Sequence, residues 1–104
     1  MGIGVYVSGV DEALVDAVAF AVDRDEGMWL APSPDQARVV LAEPAVLPRV
    51  RMPGSGALVV LASADQIGAA RAALRAGADG IVSWPQDEHA LGVRLHEAAA
   101  RKIA

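Results

Sequence analysis

At 104 residues the chain is long enough for one hydrophobic core and short for two, and its net charge of −4 argues against nucleic acid as a direct partner, which needs a basic footprint. It has no cysteine, so disulfides, thiolate chemistry and cysteine-ligated zinc are excluded, as fits a cytoplasmic protein. Its longest apolar runs are about six residues, far short of the roughly 20 of a membrane span, and no basic region precedes the first strand as a signal peptide would require.

In chain order, Ile3–Ser8 reads as a strand that is apolar on both faces. Asp11 is the expected N-cap of a first helix whose buried stripe is Leu14, Val15, Val18, Ala19 and Val22. A polar turn at 23–27 leads to a short strand, Met28–Ala31, with Trp29 in the core or at a sheet edge. Pro32 to Asp35 leaves room for one helical turn before a third strand, Arg38–Ala42. A helix over Pro34–Glu43 is disfavoured because Val39, Val40 and Leu41 lack helical amphipathicity. The segment from Glu43 to Gly56 holds three prolines and two glycines in fourteen residues, which forbids a regular helix of any length.

The stretch from Ala57 to Pro85 is the clearest unit of the chain. Ala57–Ala62 is a continuous apolar strand, and Ser63 stands three residues before Gln66 in a capping-box pattern that opens a helix. Ile67, Ala70, Ala73 and Leu74 make the expected buried face of that helix, with Arg71 and Arg75 on its polar side. Gly77 stops it, Asp79 and Gly80 turn the chain, and a fifth strand runs from Ile81 to its end at Pro85. A strand–helix–strand unit of this length is a right-handed crossover between parallel strands. Gln86–Lys102 closes the chain as a helix, with Asp87 and Glu88 in its first turn, Leu91, Leu95 and Ala98 facing inward, and Arg101 and Lys102 at its end. The sum is a single five-stranded doubly wound α/β domain spanning 1–104, with the helices after strands two and three shortened or lost.

The order of elements, together with the terminal run AALRAGADGIVSWPQDEHALGVRLHEA, resembles the bacterial response-regulator receiver domain. The likeness extends along the whole chain and is specific in its last 45 residues. It implies a flavodoxin-like strand order of 2-1-3-4-5. It also implies phosphoryl transfer to an aspartate at the end of strand three. Two acidic residues after strand one would hold magnesium, a Ser or Thr would end strand four, and a lysine would end strand five before a proline. The matching positions here are Ser8 and Gly9, then Glu43, then Ala62 with Ser63 one place late, then Trp84 before Pro85. Without paired carboxylates nothing cages magnesium, and without the lysine no cation meets an acyl phosphate. The expectation is therefore a degenerate receiver with no metal, no cofactor and no catalysis.

Bland and sharp readings compete at several of these positions. Glu43 could mimic a phosphorylated aspartate permanently, although a solvated loop residue beside Pro44 is the favoured reading. Trp84 could plug the vacated pocket or serve a partner surface, and equally could pack on its proline. His89 and His96 are seven apart, about 10 Å along a helix, which does not suit metal ligation. Gly54-Ser55-Gly56 precedes a strand rather than a helix and is no phosphate loop. Gly77-Ala78-Asp79-Gly80 is similar to phosphate-binding turns of barrels that need about 250 residues.

The resemblance implies a non-enzymatic regulatory module in signal transduction, acting through a protein partner or a neighbouring output domain and not through direct nucleic-acid or membrane contact. Such domains stand at the N-terminus of transcription regulators or of localisation ATPases, so a piece of a longer protein is expected. Arg71, Arg75, Trp84 and His89 are the expected interaction surface. A small-molecule sensor using the emptied pocket, and a conventional phosphoacceptor using Glu43 or Asp35, are the alternatives. Strands one to three are as apolar as fully buried strands while one face lacks helices, so that thinly covered face is expected to dock against a second copy, as a homodimer, or against a neighbouring domain, with the surface around helix four, strand five and helix five as the rival interface. Val46, Leu47, Val50 and Met52 are available to cap part of it.

Overall fold

The computed structural model describes residues 2–49 and 56–103. Five strands, β1 (Ile3–Ser8), β2 (Met28–Leu30), β3 (Val39–Ala42), β4 (Ala57–Ala62) and β5 (Gly80–Ser83), form one parallel sheet in the order 2-1-3-4-5. Among the described residues three α-helices accompany it: α1 (Glu12–Arg24), α2 (Ile67–Arg75) and α3 (Leu91–Ile103). This is the flavodoxin-like arrangement expected from the sequence.

Each strand places alternate residues on opposite faces, and the central strand shows why its sequence has no polar position. Val39 and Leu41 of β3 join Val5, Val18, Val22, Val59, Leu61, Val82 and Leu95 in the larger core, beneath α1 and α3. Val40 and Ala42 point the other way, into a second cluster with Ala31, Ala37 and Val46. Val60 and Ala62 of β4 pack with Ala70 of α2 on that same side. All four residues of β3 are fully buried, worth roughly 1.5–3 kcal/mol for each large side chain.

The second face is covered, although mostly without α-helix. A 3-10 turn at Pro34–Gln36 and a longer one at Pro44–Arg49 stand where two helices would otherwise lie. Small residues allow this, because Ala42 and Ala62 let the turn bring Val46 and Leu47 close to the sheet. The expectation of a broadly exposed face is therefore corrected: Val40, Ala42, Val60 and Ala62 are fully buried, and among the described strand residues on that face only Trp29, at the β2 edge, is exposed. The Trp29 ring lies over Gly4, where a Cβ would come within 2.7 Å of it. Val50 and Met52 lie outside the described residues.

Three further expectations shift by local chemistry. Leu74, assigned to the buried face of α2, is 42% exposed, and Ala70 and Ala73 take the inner positions. The closing helix begins at Leu91 rather than Gln86, because Asp87 is used elsewhere. Its Oδ2 accepts the Ser83 N–H at 2.8 Å and its Oδ1 pairs with Arg94 Nε at 3.5 Å. A 3-10 turn at Glu88–Ala90 carries His89, so His89 and His96 do not share one regular helix.

Two glycines of the α2 region separate backbone need from space. Gly68, inside the helix, and Gly77, at its end, both have open space where a Cβ would go, but only Gly77 has a positive φ, +125°. Gly68→Ala is expected to raise stability by about 0.5–1 kcal/mol. Gly77→Ala is expected to lower it by about 1–2 kcal/mol. Urea unfolding of the two variants checks the opposite signs.

Candidate functional site

In an open parallel sheet the ligand crevice lies beyond the carboxyl ends of the strands, where the strand order reverses. Here the reversal falls between β1 and β3, whose last residues Ser8 and Ala42 stand in register. The next residues are Gly9 and Glu43, and the Glu43 N–H bonds back to the Ser8 carbonyl at 3.0 Å. Glu43 is only 1% exposed, the one buried charged side chain among the described residues. The solvated-loop reading of Glu43 is thereby overturned. The strand register, and not the neighbouring Pro44, decides where the side chain goes.

Its carboxylate turns over Gly9, where any Cβ would overlap it. Oε2 accepts the Asp11 N–H at 2.9 Å, and Oε1 accepts from Gln66 Nε2 at 3.2 Å. Asp11 is the N-cap of α1, its Oδ1 accepting the Leu14 N–H at 3.2 Å. The Glu43 charge therefore sits at the positive end of a 13-residue helix, which offsets part of its desolvation without a cation. Among the described residues it forms no ion pair.

Gln66 does two jobs. Its Oε1 accepts the Ser63 N–H at 3.1 Å, the capping contact expected from the sequence, which leaves Nε2 to donate to Glu43. The Ser63 hydroxyl turns away and donates to Asp65 Oδ1 at 2.6 Å, with Gln66 Oε1 as a second acceptor within reach at 3.1 Å. That hydroxyl, and after it the backbone N–H of Asp65, holds the exposed Asp65 carboxyl below the ordinary carboxylate range. Reading the sequence missed Asp11 and Gln66 as partners of Glu43. The available signal was the pairing of a glycine after β1 with an acid after β3, and a Gln whose capping role leaves its amide nitrogen unspent.

The other expected positions divide. Ser8, Gly9, Glu43, Ala62, Ser63 and Trp84 do converge at the carboxyl edge, with the Trp84 N–H donating to the Ala62 carbonyl at 2.9 Å. The Trp84 ring is partly buried and packs against the core beneath α1 and α3, and Trp84-Pro85 is a cis peptide. The pocket expected to be vacated is filled by Glu43 itself. The expected interaction surface of Arg71, Arg75, Trp84 and His89 is not one surface. The two arginines are exposed on α2, on one side of the sheet. His89 lies on the other side, in a groove of about 320 Å³ with Arg24, Asp25, Glu88 and Gly92 between the end of α1 and the start of α3.

Compared with solved structures, the chain superposes on full-length FixJ from B. japonicum with a TM-score of 0.70 at 16% identity. It superposes on NtrX from Brucella abortus, solved with ADP, at 0.74 and 17% identity. It also superposes on a response regulator receiver domain protein from Clostridium thermocellum at 0.67 and 16%, covering 96% of each chain. The chain has the receiver-domain fold. It covers 59% of the FixJ chain and 27% of the NtrX chain, with 96% and 98% of its own length aligned. No family model and no curated protein matches it.

The receiver fold implies a magnesium ion at this edge, and the residues present do not fit one. Ser8 and Gly9 bring no carboxylate, both Glu43 oxygens are already engaged by N–H donors, and among the described residues no three Asp, Glu or His side chains gather in metal-binding geometry.

Two substitutions test the network. Glu43→Gln turns one acceptor into a donor facing either the Asp11 N–H or Gln66 Nε2, so one buried donor loses its partner. A loss of about 1–3 kcal/mol in denaturant unfolding is expected. Ser63→Ala removes the donor to Asp65, whose carboxyl should then titrate at higher pH in an NMR titration. An unmoved titration would show that the hydroxyl is not the cause.

Proposed function

We infer that this domain is a non-enzymatic regulatory module of signal transduction that keeps the receiver fold, does without phosphoryl transfer, and works through contacts with a protein partner or a neighbouring output domain. The observation that carries the reading is the buried Glu43 carboxylate in the switch-point crevice, hydrogen-bonded on both oxygens. A nucleophile must be accessible to its phosphoryl donor, and the receiver chemistry needs a metal and a cation beside it. Glu43 is inaccessible, it stands over a glycine rather than a carboxylate pair, and Trp84 occupies the place of the lysine.

The greater length of the FixJ and NtrX chains supports a place beside an output domain, as in a transcription regulator or a localisation ATPase. No helix among the described residues is long and apolar enough to cross a membrane. A cytoplasmic place for the module is part of the same proposal, in keeping with a chain free of cysteine. Beryllium fluoride with magnesium, followed by amide NMR, tests the reading. The amides of Ser8, Gly9, Asp11 and Glu43 are expected to stay in place. A saturable shift confined to those loops would instead make the domain a conventional phosphoacceptor.

A further inference from the structure

Charge is unevenly divided along this chain. Residues 1–43 carry eight acidic and two basic side chains, and residues 44–104 carry five and seven. The fold turns that division into two separate patches. On α1, Asp16, Phe20 and Asp23 follow one another at helical spacing on the outer face, all exposed, with Phe20 at 60%. The only cation of that helix, Arg24, lies over the Phe20 ring at 5.2 Å from its centroid. On α2, Arg71, Leu74 and Arg75 share one exposed face, and neither arginine forms an ion pair among the described residues. Asp65, the nearby acid, is turned toward Ser63.

The two patches match in order: charge, apolar side chain, charge, with opposite signs. Asp16 to Asp23 spans about 10 Å of helix and Arg71 to Arg75 about 6 Å, a difference that arginine side chains can reach across. They also lie far apart on the domain. α1 packs on β1 and β2 on one face of the sheet, whereas α2 packs on β4 and β5 on the other. One molecule cannot join its own patches, and a two-fold pair cannot use both at once.

We propose that the acidic Phe20 face of α1 docks on the basic Leu74 face of α2 of a second copy, head to tail. Such a heterologous contact repeats without closing unless its rotation happens to make a ring. Phe20 and Leu74 supply the desolvated centre, and the charges at the rim set pairing and speed of association. The occupant is a second copy because both complementary halves are carried by this chain. The inference rests on the reading of the domain as an interaction module only in needing surfaces free to bind. The beryllium fluoride experiment tests that reading and the following one tests association, so either can fail alone.

Sedimentation velocity on the full chain, up to about 300 µM and at about 50 mM and 500 mM salt, gives the result. At low salt the average sedimentation coefficient is expected to rise with concentration past the dimer value, with affinity falling at least about tenfold at high salt. The double variants Asp16→Arg/Asp23→Arg and Arg71→Glu/Arg75→Glu should each be monomeric, since each then presents like charges on both faces. Mixed one to one they should associate again, because every contact between unlike variants is restored. Phe20→Ser probes the same contact with charge unchanged and should weaken it. Far-UV circular dichroism melts confirm folding, and Asp16→Asn and Arg71→Gln replace any double variant that fails to fold. A wild-type chain that stays monomeric at low salt overturns the proposal. So does association that both variants retain, or a mixture that remains monomeric.

Discussion

The hydrogen bonds that the Asp11 N–H and the Gln66 amide donate to Glu43 tie three segments of the chain to one buried carboxylate. Glu43 directly follows β3, Asp11 caps α1, and Gln66 precedes α2, so one side chain links the starts of two crossovers to the end of the central strand. A carboxylate removed from water without a cation is costly unless each oxygen is bonded. Here the positive end of α1 and two donors meet that need. The arrangement also requires Gly9, because any other residue would put a Cβ in the carboxylate's place. These dependencies make the carboxyl edge a structural knot before it is anything else.

The same edge shows how a crevice set by topology depends on the side chains around it. The switch point of a doubly wound sheet is a crevice by topology, and in the receiver fold its use depends on which side chains end β1, β3 and β5. In this chain those ends carry a serine and a glycine, a glutamate that folds inward, and a tryptophan whose ring packs against the larger core. The crevice remains, but what fills it is the protein's own charge. The charge that remains at the surface is divided between two faces of the sheet, acidic on α1 and basic on α2.

The second face of the sheet depends on a different economy. Two 3-10 turns stand in for helices, and they cover the strands because the residues beneath them are small or β-branched and the turns come close. An apolar strand pattern thus guaranteed that something would cover the face, without requiring that the cover be helical. What stays uncovered on that face of the strands is the β2 edge, where the Trp29 ring is partly exposed over Gly4.

Much of this was legible in the chain alone. The parallel strands are written in continuous apolar runs, and α1 and α2 in their caps, Asp11 and the Ser63–Gln66 pair. Also legible is that Ser8, Gly9 and Trp84 stand where the receiver resemblance implies an acidic pair and a lysine. These are local signals, because periodicity and capping act within a few residues. What the tertiary structure alone decided are relations between distant residues: that Glu43 is buried and not solvated, that Gln66 reaches it across 23 positions, and that Leu74 faces out while the turn at Pro44–Arg49 faces in. Burial of a polar side chain depends on which strand ends stand side by side and on what approaches from elsewhere in the chain. No pattern within one segment carries that information.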